Sequence, residues 1–129
     1  MKHKDKILQV LRSKNYLQSK NRLCVKRPGN QYAYCIAGIL CDIHRKTTKG
    51  KWIEAGNLSD ITLMSYLGKT HGLPEDVRLY FDVTNNILDL SPNDLTDKQK
   101  RGLTDFNLVT LNDNGCTFEE LATLIERHG

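Results

Sequence analysis

Cys35 is the side chain whose type and position best suit chemistry. A helix is predicted from about Tyr34 to Arg45, and the unpaired N–H groups and dipole at its start favour a thiolate, lowering the thiol pKa. His44 or His71 can act as base and Asn112 as orienter, following the Cys–His–Asn order of papain-like enzymes. An enzyme built on this chain would therefore use Cys35 and Asn112 as catalytic residues. No local motif ties the three together, and free cysteine is equally at home as a small buried hydrophobe. Cys41 and His44, three residues apart, are only two ligands, and no Cys-x-x-Cys pair accompanies them, so no metal site is expected. Asn112-Asp113-Asn114-Gly115 lies just before a predicted helix start, where anions bind readily, yet it serves equally as a plain turn with Gly115 at positive φ. Gly-rich phosphate loops, paired carboxylates and nucleic-acid-binding signatures are absent, and no cofactor is implied.

These residues need elements to hold them. Ile36, Ile39, Leu40 and Ile43 fall at i, i+3, i+4, i+7, one face of the helix that begins near Cys35. Gly38 inside it costs about 1 kcal/mol against alanine, so a crossing element or a ligand must need the space. Upstream, a helix is expected over 4–18 with Ile7, Val10, Leu11 and Leu17 as its stripe. Its leading lysines oppose the dipole, which calls for fraying or a partner that offsets the charge. Arg22–Arg27 and Gln31–Tyr34 flank Pro28-Gly29-Asn30, a turn signal that predicts a small hairpin.

Further on, Lys51–Glu54 reads as a short strand, while 57–72 fits strand and helix about equally. Leu73-Pro74-Glu75-Asp76 opens a helix expected to bury Val77, Leu79, Tyr80 and Phe81. Ser91-Pro92-Asn93-Asp94 opens another that includes Leu95, and 103–111 is a helix or a strand. Thr117 and Glu120 form a capping box for a last helix, with Phe118, Leu121, Ala122 and Ile125 on one face. The fold class expected is α+β: a compact, mostly helical single domain over 1–129 with a small N-terminal hairpin or sheet. The Cys35 helix should pack on the C-terminal helix, with Asn112 and Asp113 near the junction.

Length and composition agree with one soluble domain: 129 residues, 39% hydrophobic and 26% charged. No apolar run reaches the ~18 residues of a membrane span. The basic start, Met1 to Lys6, is not followed by an apolar signal-peptide core, so a cytoplasmic protein with reduced cysteines is expected. Charge is uneven. Residues 1–51 hold 13 Lys/Arg against 2 Asp/Glu, a net of +11, and 52–129 hold 6 against 13, a net of −7. The halves either neutralise each other on folding or leave a basic surface for an anionic partner.

Three stretches resemble, in order, the motifs of small uncharacterised proteins of bacteriophages and prophages. They are Cys35-Ile-Ala-Gly38-Ile-Leu40, Leu73-Pro74-Glu75-Asp76-Val77, and Leu111-Asn112-Asp113-Asn114-Gly115-Cys116-Thr117-Phe118. The tryptophan and glycine usual after the central valine are replaced here around Tyr80 and Phe81. The resemblance carries no catalytic role. It implies a phage-encoded accessory protein in the host cytoplasm, countering a host process or defence system by binding. The expected partner is an anionic small molecule of the nucleotide class or a host protein. The expected ligand-binding residues are Arg27, Arg45, Lys46 and Lys51 with Asn112 and Asp113. The alternatives are a cysteine-dependent hydrolase or transferase using Cys35, and a nucleic-acid-binding accessory protein using the basic segment 2–27.

Overall fold

The computed structural model describes residues 1–129. Its central element is α2, Ile36–Thr48, in which every residue from Ile36 to His44 is buried. The isoleucine–leucine stripe accounts for one face only; Ala37, Gly38, Cys41, Asp42 and His44 are enclosed as well. A helix buried all round needs neighbours on every side. They are α1 (Lys4–Arg12), α3 (Glu75–Phe81), α5 (Leu108–Asp113) and the sheet through β3 (Gln31–Tyr34).

The hairpin forms as expected, β2 (Cys24–Arg27) pairing antiparallel with β3. The sheet is larger than a hairpin. A second hairpin, β4 (Ile53–Leu58) and β5 (Ile61–Ser65), joins it, and β1 (Leu17–Gln18) lies parallel to β3, giving the order β1-β3-β2-β5-β4. The ambiguous stretch 57–72 therefore contributes a strand, and the strand expected at 51–54 runs on to Leu58. The first helix stops at Arg12 rather than at residue 18. The Ser13 hydroxyl donates to Val10 O at 2.7 Å, Lys14 turns left-handed at φ 61, and Leu17 leaves the helix to pair in the sheet.

Gly38 is explained by backbone. A Cβ there would stand 1.7 Å from Leu23 O, so the chain entering β2 crosses α2 at a place only glycine allows. Leu23 O also accepts from Cys35 N at 3.3 Å, fixing the crossing.

The second half is short helices and turns. Of the side chains assigned to α3's inner face, Val77 and Phe81 are buried, but Leu79 is 58% exposed, since it points away from an i, i+4 pair. Ser91 and Asp94 do make a capping box, but for one 3-10 turn, Pro92–Asp94; Leu95 then runs extended, and Thr96 caps a separate α4, Asp97–Lys100. The capping box of Thr117 and Glu120 opens α6, Phe118–His128. α6 packs mainly on α1 rather than on α2, and α1 and α5 each touch both α2 and α6.

The oppositely charged halves meet at a few points. Arg12 bridges to Glu119 (3.3 Å) and Glu126 (3.0 Å), and Lys26 to Glu54 (3.8 Å). Lys4, at the start of α1, donates to the last carbonyls of α6 at Glu126 and Gly129, whose partial negative charge offsets its own. No helix is long and apolar enough to cross a membrane.

Candidate functional site

The sequence-derived residues separate along α2. At its N-terminal end lie Cys35, Asn112 and Asp113; near its C-terminal end lie Arg45, Lys46 and Lys51. Ile36 and Arg45 are nine residues apart, about 13 Å along the axis. Arg27 belongs with neither. It follows Lys26 on β2, and Lys26 pairs with Tyr32 on the face toward Arg45, so alternation sends Arg27 to the opposite face.

Cys35 is the N-cap of α2, and its Sγ accepts from Gly38 N at 3.4 Å. Of the two readings of Cys35, this geometry favours the buried hydrophobe over the thiolate. The residue is only 7% exposed, and burial pushes the thiol up to about 11, outweighing the N–H groups of Gly38 and Ala37. His71 and Asn112 line the same crevice as Cys35, so of the two candidate bases only His71 is near. That crevice measures about 40 Å³, space for a water rather than a substrate.

Asn112, moreover, is fully occupied. Its Oδ1 accepts from Gln18 Nε2 (2.8 Å) and Ile36 N (3.2 Å), and its Nδ2 donates to Ser19 O (2.9 Å) and Asp113 Oδ1 (3.2 Å). Gln18 continues the network, donating to Cys116 O and accepting from Phe118 N. Asp113 also accepts from Asn21 N at 2.8 Å. These side chains join β1 to the starts of α2 and α6. Asn112 and Asp113 belong to the last turn of α5, and the turn itself is Asn114-Gly115, with Gly115 at φ +104.

The C-terminal end is built around Asp42, a carboxylate at 2% exposure. Its Oδ1 accepts from Arg45 Nε (2.6 Å) and Trp52 Nε1 (3.0 Å), and its Oδ2 from the Tyr16 hydroxyl (2.5 Å). Burial alone would raise the Asp42 carboxyl, but the hydrogen bonds from Arg45, Tyr16 and Trp52 and the guanidinium charge outweigh it, holding the group ionised below its ordinary value. Lys46 Nζ donates to the Tyr16 oxygen at 2.9 Å, lies 3.7 Å from Asp42 and sits over the Tyr16 ring. One negative charge thus fixes two cations. Arg45 uses only Nε for Asp42, leaving its two terminal nitrogens free for another acceptor.

Rings line this end of α2. Tyr16 meets Tyr34 at 5.0 Å, Tyr34 meets Trp52 at 5.9 Å and Trp52 meets Tyr66 at 5.3 Å; the belt continues through His44 to Tyr80, on which His3 stacks at 4.4 Å. His44 Nδ1 is 2.5 Å from the Tyr66 hydroxyl, a hydrogen bond whose direction the ring's tautomer sets, and burial lowers the His44 pKa. Cys41, three residues before it, is buried in the core.

Clefts open between the belt and its neighbours. The most enclosed of the large ones, about 470 Å³, runs between α1 and α2. Lys6 and Lys46 supply its charge, Tyr16, Tyr80 and His3 its rings, and no carboxylate lines it. Sequence reasoning found Arg45 and Lys46 but missed Tyr16, Asp42, Trp52 and Tyr80. One signal was available: an aspartate at a core-facing helix position with arginine at i+3 and lysine at i+4.

Comparison with known proteins adds membership without a function. No curated protein and no solved structure matches the chain. The family model described as Domain of unknown function (DUF8296) matches residues 1–129, and the chain belongs to that family.

Proposed function

We propose that this is a binding protein for an anionic, ring-bearing small molecule of the nucleotide class, held in the cleft between α1 and α2. The observation that carries the proposal is the composition of that cleft: two lysines, three rings, neutral hydrogen-bonding groups from Gln9, Ser13 and Asn15, and no acid. Its volume falls in the ~300–1,000 Å³ range of small-molecule sites. Rings give a base a stacking surface, and ammonium groups give phosphate a counter-charge. Binding is favoured over catalysis because Cys35 is buried with a raised pKa beside a crevice too small for substrate. Together with the resemblance of its motifs to those of phage proteins, this makes sequestration of a host nucleotide the role we propose.

Isothermal titration with AMP and ATP tests it. Both should bind, ATP more tightly, with affinity falling as salt rises. Lys6→Glu, an exposed change that breaks no hydrogen bond within the chain, should weaken ATP about tenfold at low ionic strength. No heat with either nucleotide, or equal affinity in the variant, would overturn the proposal.

A further inference from the structure

The α1–α2 cleft does not end at Lys46. Asn15, Tyr16 and Lys46 also line a neighbouring hollow of about 430 Å³. Tyr32, Tyr34 and Arg45 of that hollow line a third, about 330 Å³, beside Lys51 and Trp52. The three form one trough that passes from α1, over the C-terminal half of α2, onto the sheet. Its chemistry alternates. His3 and Tyr80 stack at one end, Lys46 and Arg45 occupy the middle, and Tyr32, Tyr34 and Trp52 gather at the other end with Lys51. Asp42, the one acid in the trough, is spent on Arg45, Tyr16 and Trp52. The middle therefore keeps a net positive charge.

A mononucleotide leaves the sheet end unused. Resting on the nucleotide reading above, we infer that the ligand is a dinucleotide, one base in the α1–α2 cleft, its phosphate against Lys46 and the terminal nitrogens of Arg45, and the second base on the rings of Tyr32, Tyr34 and Trp52. Tyr32 is 39% exposed, so the sheet end stands open to a ligand arriving from solvent.

The test compares AMP with the linear dinucleotide pApA by titration calorimetry, on the full chain and on Tyr32→Ala and Lys51→Glu, two exposed positions. The dinucleotide should bind at least about 30-fold more tightly than AMP, and Tyr32→Ala should remove about tenfold of that advantage, as expected for loss of one stacked base, while leaving AMP unchanged. Lys51→Glu should weaken pApA more than AMP. Equal affinities for AMP and pApA, with both variants silent, would overturn the dinucleotide inference, while AMP binding sensitive to Lys6→Glu would leave the mononucleotide proposal standing. Failure of both ligands to bind would overturn both.

Discussion

The two ends of α2 use polar side chains in opposite ways. At the N-terminal end, Asn112 and Gln18 spend their hydrogen-bonding capacity on the chain itself, tying β1, α5 and the starts of α2 and α6 together around a crevice of about 40 Å³. At the C-terminal end, a single buried carboxylate holds Arg45, Tyr16 and Trp52 in place, yet Arg45 keeps its terminal nitrogens and Lys46 faces a cleft of about 470 Å³. Both ends are polar and partly buried, so burial alone does not separate a rivet from a site. What separates them is whether donors are left over after the fold has taken its share.

If that contrast holds, changes at the first end cost stability without touching ligand affinity. Gly38→Ala should have the largest effect. Its new methyl would meet the Leu23 carbonyl at 1.7 Å and force α2 off the strand entry, for roughly 3 kcal/mol of lost stability by urea unfolding. Asn112→Ala should follow at roughly 2 kcal/mol, because it strands the buried Ile36 N–H and removes the donor to Ser19 O. The folded fraction of this variant should still bind AMP as the parent does, and a selective loss of AMP affinity would erase the contrast.

At the second end ligand affinity changes as well. Asp42→Asn should cost roughly 2 kcal/mol, because its amide NH2 would face donors where a buried carboxylate oxygen accepted, and it should also unfix both cations and change AMP affinity. It should also alter acid behaviour. The folded Asp42 carboxyl lies below its ordinary value of 3.8, so its contribution is complete above that pH and is lost as pH falls through the folded value; the variant should lack this loss. The smallest effect belongs to His44. Burial lowers its pKa from 6.5, so the unfolded chain takes up the proton first, and stability should decline as pH drops below about 6.5. His44→Gln should flatten that decline in thermal melts.

Local features were legible in the sequence. The capping box of Thr117 and Glu120, the β2–β3 turn and the start of α2 each rest on neighbours a few residues apart. The β4–β5 hairpin was hidden because every residue of β4 is exposed, which leaves no alternation to read. Gly38 announced that something approached, though not that it was the Leu23 carbonyl. The site was hidden for a different reason. Its framework joins Tyr16 to Asp42 across 26 residues and Trp52 to Asp42 across 10, contacts that no spacing rule links. Cys35 left both readings open, because its place at a helix start was visible while the burial that raises its pKa was not.

One measurement bears on the central claim directly: amide chemical shifts of the labelled protein titrated with AMP. Shifts should concentrate at Lys6, Asn15, Tyr16, Lys46 and Thr47, along the α1–α2 cleft, with Cys35, Gly38, Asn112 and Asp113 still. Shifts centred on Cys35 and Asn112 instead, or none at all, would contradict the assignment of the site to the C-terminal end of α2.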